Sequence, residues 1–287
     1  TGRIEPIGAA LDIPPDLRVY DWPDATITPG FVLGAAGVAG QHSGDESIGA
    51  GYRAADEFNQ YGEYRAWLAG GVTTVHLNPG WHRLVSGRGA VVRLGGAVDE
   101  RVLVEQADLT VNLGSRVGNP PNLVKELVPP TGDTPIVPAE PQRPSTRLAQ
   151  MLALREAIHA AQQGNYTDPF GDFDMHRAAL ADAWRNRAPL RVQAQEAIDL
   201  DSAISFLVGA ERNGYIVGGA EVSEVADRLR ETSVGLIYTL DPAFRSPARN
   251  LGNNPDAADQ LGQDLAKLRD VRLGLGLAPG QPVEDLR

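Results

Sequence analysis

Short apolar runs alternate with longer, helix-patterned polar stretches from Phe31 onward. Eight of the runs have the length and β-branched content of strands: FVLGAAGV (31–38), VTTVHL (72–77), AVVRL (90–94), LTVNL (109–113), LRVQA (190–194), YIVGG (215–219), VGLIYTL (234–240) and VRLGLGL (271–277). Several are apolar throughout instead of alternating, the pattern of strands covered on both faces. Between them, Val222, Val225, Ala226 and Leu229 fall at i, i+3, i+4 and i+7, one apolar helical stripe, and Leu261, Leu265 and Leu268 repeat it. Ser145 is the predicted N-cap of a helix carrying Leu148, Met151, Leu152 and Ile158. Pro- and Gly-rich stretches at 114–145 and 164–174 exceed ordinary connections and read as functional or loosely ordered loops.

Strands alternating with helices predict βα units around a parallel sheet. Eight such strands in this length match an α/β fold of the (β/α)8 TIM-like barrel type. A doubly wound open sheet would need a glycine-rich phosphate turn after an early strand, and no G-x-G-x-x-G stands there. Residues 1–28 read differently. IEPIGAA and LRVYDWPDATITPG are short β-type runs broken by Pro and Asp, and they predict a partial small β unit ahead of the barrel domain at 29–287. The chain opens on Thr1 inside what already reads as structure, which predicts an upstream piece.

Composition narrows the partners. Among the 287 residues, 42% are hydrophobic and 22% charged, ordinary for a globular protein, and no run of apolar residues is long enough to span a bilayer. A net charge of −11, with no local Lys/Arg cluster, argues against nucleic acid. The absence of cysteine removes disulfides, thiolate metal sites and a cysteine nucleophile.

ITPGF (27–31), AGGVTTVHLNPG (69–80), SGRGAVVRLGG (86–96) and PLRVQAQEAIDLDSAI (189–204) follow one another in an order that resembles the amidohydrolase superfamily, its imidazolonepropionase-like and prolidase-like members above all. The resemblance covers nearly the whole chain. It implies a metal-dependent (β/α)8 barrel with a small β-sandwich built from both chain ends, to which residues 1–28 would contribute. It also implies metal ligands that this sequence lacks. The His-x-His expected after TPGF falls on Ala35 and Gly37, which have no donor atom. The fifth-strand histidines fall on Gln193 and Gln195, and an amide is a poor substitute for imidazole at zinc. The sixth-strand His-Gly pair reads Gly218-Gly219, followed by Glu221. Around the last-strand aspartate stand Gly276, Leu277 and Ala278, with Asp285 beyond the strand.

Five histidines remain. His76 sits at the C-terminal end of a predicted strand, where barrel enzymes keep their chemistry. His42, with Asp45 and Glu46 close by, could form a relocated metal site; the plain reading is an exposed loop. His82, His159 and His176 read as loop or outer-layer residues, and no two histidines stand at H-x-H or H-E-x-x-H spacing. No G-x-S-x-G elbow is present.

His76, Asn112, Gln193 and Gln195 are the predicted lining of a polar barrel mouth, with Arg93 also near a strand end; they could bind a small molecule or fill space left by a lost metal. The expectation is a non-catalytic amidohydrolase-like barrel without a cofactor, acting as a structural or regulatory partner of an active amidohydrolase chain or domain in a homo- or hetero-oligomer. The alternative is an active metal-dependent hydrolase of non-peptide or dipeptide C–N bonds, with its metal on His42, Asp45, Glu46 and His76.

Overall fold

The computed structural model describes residues 8, 11–38, 46–117, 143–168, 170–240 and 266–277. His42, Asp45, Leu261, Leu265, Ala278 and Asp285 lie outside them. The strands are β1 (Phe31–Leu33), β2 (Val72–Leu77), β3 (Val85–Arg93), β4 (Val102–Asn112), β5 (Leu190–Ala194), β6 (Gly214–Gly218), β7 (Gly235–Leu240) and β8 (Leu273–Leu277). They form one eight-stranded sheet in chain order, β1 to β8. The sheet curls into a nearly closed barrel, consistent with a TIM-like α/β fold. At its seam, a Cβ placed on Gly276 of β8 would lie 2.7 Å from the Cβ of Ala35, just past β1.

The predicted first strand, 31–38, shortens to three residues because Gly34 begins a bend and Gly37 and Val38 a turn. β3 and β4 begin well ahead of their predicted runs at 90–94 and 109–113; the remaining strands fall where the apolar runs predict them, and β5 is buried along its whole length. One direction differs from the βα expectation. β1–β2 and every pair from β4–β5 to β7–β8 are parallel, but β3 is antiparallel to both neighbours. The connections from Leu77 to Val85 and from Arg93 to Val102 are too short for a crossover helix, so β2, β3 and β4 form a meander.

Six helices are described: α1 (Ala54–Glu57), α2 (Arg65–Ala69), α3 (Arg147–Gln162), α4 (Met175–Arg185), α5 (Ala197–Gly209) and α6 (Ala226–Arg230). The core has two parts. One is packed between the sheet and α3 to α6, around Leu154, Leu180, Val192, Leu200 and Ile216; the other joins β1 to β3 with Phe58, Tyr64 and Trp67. The stripe of Val222, Ala226 and Leu229 is buried, although a short 3-10 turn and α6 share it. Residues 11–30 form no strand, and Leu17, Val19, Tyr20 and Trp22 are exposed. Among the described residues no helix is long and apolar enough to cross a membrane.

Helix α3 departs from its predicted face. Its N-cap is Thr146, whose side chain accepts a hydrogen bond from the Ala149 amide at 3.3 Å. The stripe facing the core is Gln150, Leu154, Ile158 and Ala161, while Leu148 is 82% exposed. Leu154→Ala is therefore expected to destabilise the fold by about 2–5 kcal/mol in urea unfolding, as large-to-small core changes do. Leu148→Ala should stay within about 0.5 kcal/mol of the parent.

Candidate functional site

Side chains alternate across a strand, so each inward-facing residue brings its i±2 neighbours to the same face. On β4 this places Asp108, Thr110 and Asn112 together; on β5, Arg191 and Gln193, with Gln195 one step beyond; on β6, Tyr215 and Val217. Register then sets Thr110 beside Arg191, Asn112 beside Gln193 and Arg191 beside Tyr215. The barrel interior is thereby divided into a lower charged layer and an upper layer of amides.

The lower layer is a continuous hydrogen-bonded chain. Arg191, fully buried, donates from Nη1 to the Gly34 carbonyl (2.6 Å) and to His76 Nδ1 (3.1 Å). With Nδ1 accepting, the proton of a neutral imidazole sits on Nε2, which donates to Asp108 Oδ2 at 2.6 Å. The Tyr215 hydroxyl donates to the same oxygen at 2.6 Å, and Thr110 Oγ1 to Asp108 Oδ1 at 3.3 Å. Gly89 of β3 makes the space: a Cβ there would lie 2.5 Å from Asp108 Oδ1 and 2.6 Å from the His76 ring.

Burial would push the Asp108 carboxyl up, but the His76 ring, Arg191 and the Tyr215 hydroxyl together hold it well below the usual carboxylate range. Burial pushes the His76 imidazole down, outweighing the pull of Asp108, which agrees with the neutral ring that the geometry assigns. Burial and the adjacent carboxylate push the Tyr215 phenol up, so it remains a donor. Both nitrogens of His76 are engaged, leaving no lone pair for a metal and no free base for a substrate.

In the upper layer, Asn112, Gln193 and Gln195 line one cavity with Trp81, Ser115 and Asp199. Its volume of about 10 Å3 is at the limit for a single water. Asn112 Nδ2 donates to the Arg83 carbonyl (2.7 Å) and to Ser86 Oγ (2.6 Å). Gln195 Oε1 accepts from the Ala220 amide at 3.1 Å, bracing the turn after β6. Gln193 is 3% exposed, yet both its amide atoms lack a partner among the described residues, as does Asn112 Oδ1. A buried polar group in that state costs about 1–3 kcal/mol, which favours a water or a small polar group beside them. The N-terminus of α3 closes over this layer: Arg147 donates to Asp199 Oδ1 and Glu196 Oε2, each at 2.6 Å, and the Gln150 amide pairs in both directions with Gly114.

The structure thus gathers Asn112, Gln193 and Gln195 at one small mouth and puts His76 below them in the charged chain. Arg93 is exposed and faces Glu100, because antiparallel β3 carries its C-terminal end to the opposite rim. Glu46 lines an outer cavity with Asp168 and His176, away from His76. His176 Nδ1 accepts from the Gly51 amide.

The positions at which the resemblance expects metal ligands do not fit a metal. Ala35 is fully buried against the Gly276 position. Gly37 lies in a turn, and Gly218 has φ +119°, where an added Cβ would lie 2.4 Å from the Ala194 carbonyl oxygen. Among the described residues, no group of three or more His, Asp or Glu side chains could hold a metal ion. Asp108, Arg191 and Tyr215 were not singled out from the sequence. Stepping the alternation back by two, from Asn112 through Thr110 and from Gln193, would have reached the first two.

Removing one member of a buried ionic chain leaves an uncompensated charge, so Asp108→Ala should cost about 3–5 kcal/mol in urea unfolding. Tyr215→Phe should cost about 1.5–3 kcal/mol, the loss of one hydrogen bond to a charged acceptor. His76 stays neutral in the fold, whereas the unfolded chain protonates it below about pH 6.5. Its contribution is complete above that pH and is lost as the pH falls. Unfolding midpoints should therefore drop between pH 7 and 5, and His76→Gln should flatten that slope by up to about 1.4 kcal/mol per pH unit. An unchanged slope would mean that the imidazole titrates freely.

No protein-family model matches the chain, and no curated protein does. Among solved structures it is similar to an amidohydrolase from Thermotoga maritima MSB8, with a TM-score of 0.62 and 22% identity over 92% of this chain and 72% of that one. At that identity the similarity shows a shared fold.

Proposed function

We propose that this chain is an amidohydrolase-like barrel that has lost its metal site and serves as a non-catalytic structural or regulatory partner of an active amidohydrolase chain or domain. The observation that carries the reading is the packing at the barrel seam. The resemblance expects a ligand on Ala35 and another near Gly276, and there the two backbones approach so closely that even a methyl group on Gly276 would strike Ala35. That close approach supports the reading because it leaves no room for a larger side chain at Gly276. The saturated ring of His76 supports the same reading from below.

The partner role rests on residues 11–30. Leu17, Val19, Tyr20 and Trp22 lie exposed in a segment that forms no strand. In this proposal the 1–28 segment belongs to a small sandwich outside the 29–287 barrel, completed by strands of a neighbouring chain or domain. Unpaired β edges are templates for such pairing.

Elemental analysis of the protein, purified with its native partners and without chelator, tests the reading. The expected result is no metal on this chain and metal on a co-purifying amidohydrolase. Near-stoichiometric zinc, iron or manganese traced to this chain would overturn it. The double substitution Ala35→His with Gly37→His should give no amide hydrolysis and should destabilise the seam; recovered hydrolysis would contradict the account of the lost ligands.

A further inference from the structure

A second concavity lies at the opposite end of the barrel from the amide layer, where β5 to β8 begin. It has a volume of about 970 Å3, of the size that takes a small organic molecule. Glycines start or nearly start three of its strands, Gly214, Gly235 and Gly274. Three arginines stand around it: Arg187, Arg212 and Arg272.

None of the three has a carboxylate within ion-pair distance among the described residues, although arginines elsewhere on this acidic chain pair readily, as Arg147 and Arg230 do. Arg212 sits over the Trp184 ring, its Cζ 4.1 Å from the ring centroid, and its Nη1 is buried without a partner among the described residues. A guanidinium held over an aromatic face keeps its N–H edge available to an oxyanion. Arg187 donates to the Glu211 carbonyl at 3.0 Å. Arg187 and Glu211 both hold left-handed backbone, at φ +54° and +51°, a conformation that disfavours both residues. Burial, and then the neighbouring Arg187 charge, push the Arg212 guanidinium down.

We propose that this cleft binds a small molecule bearing a phosphate or carboxylate group, held by Arg212 and Arg272 with Arg187 in support. Paired planar guanidiniums suit an oxyanion with two or more acceptor oxygens. Glu211 and Glu231 line the same cleft, so the anionic group is expected at the arginine side. Tyr215 lines the cleft with its ring and holds Asp108 with its hydroxyl, so a ligand resting there also steadies the charged chain inside the barrel.

The test is isothermal titration of the full chain with pyrophosphate and, separately, with citrate, at ionic strength held constant with sodium chloride. Saturable one-to-one binding of either is expected, with Trp184 fluorescence changing in step. Preference for pyrophosphate would mark the natural ligand as a phosphorylated compound, and preference for citrate as a carboxylic acid. Arg212→Ala and Arg272→Ala should each weaken binding about tenfold or more, the loss of a charge-assisted contact. Arg272 is exposed, so its variant keeps the test valid if Arg212→Ala folds poorly. Failure of both probes to bind, or binding that survives both substitutions, would overturn the proposal. Neither outcome bears on the metal content that tests the non-catalytic reading.

Discussion

The barrel is held together from inside by one buried charge pair and the ring between them. Arg191 on β5, His76 on β2 and Asp108 on β4 form a chain that begins at the Gly34 carbonyl, just past β1, and ends at Tyr215 on β6. Four of the eight strands, and the residue just past a fifth, thus meet through polar contacts in a space that most small barrels fill with Val, Ile and Leu. Burying such charges is costly, and the arrangement is tolerable because Asp108 accepts three hydrogen bonds and Arg191 is neutralised two links away. Nothing larger than hydrogen fits at Gly89, which is why the antiparallel strand must carry glycine at that register. Ile237 of β7 completes the filling by reaching across to Gly34, where an added Cβ would lie 2.5 Å from its Cδ1.

Much of this was legible in the sequence, and the limits are physical. Each predicted strand segment contains a strand because buried β-rich runs carry their own signal, and β5 is buried at all five positions. The reversal of β3 was not legible, since apolar content says nothing about direction; only the shortness of the 78–84 and 94–101 connections betrays it. The face of α3 was misread because Leu148 and Leu152 are apolar yet exposed, while polar Gln150 is buried against Gly114. The upper amides emerged from the fifth-strand stretch itself. The charged layer did not, because Asp108 sits just ahead of its run and Arg191 one residue inside the start of its run, where a charge ordinarily marks the edge of a strand.

Electrostatics connects the two layers to the functional reading. A hydrolytic dication in a dry barrel needs anionic or imidazole donors near it. The upper layer offers Asn112, Gln193 and Gln195, all neutral, and the two carboxylates above it, Glu196 and Asp199, are already engaged by Arg147. The lower layer offers one carboxylate, balanced by one guanidinium. The interior is therefore near neutrality with its existing side chains, and adding a dication would leave a large uncompensated charge. A neutral interior with unpaired amide atoms suits a trapped water far better than a metal.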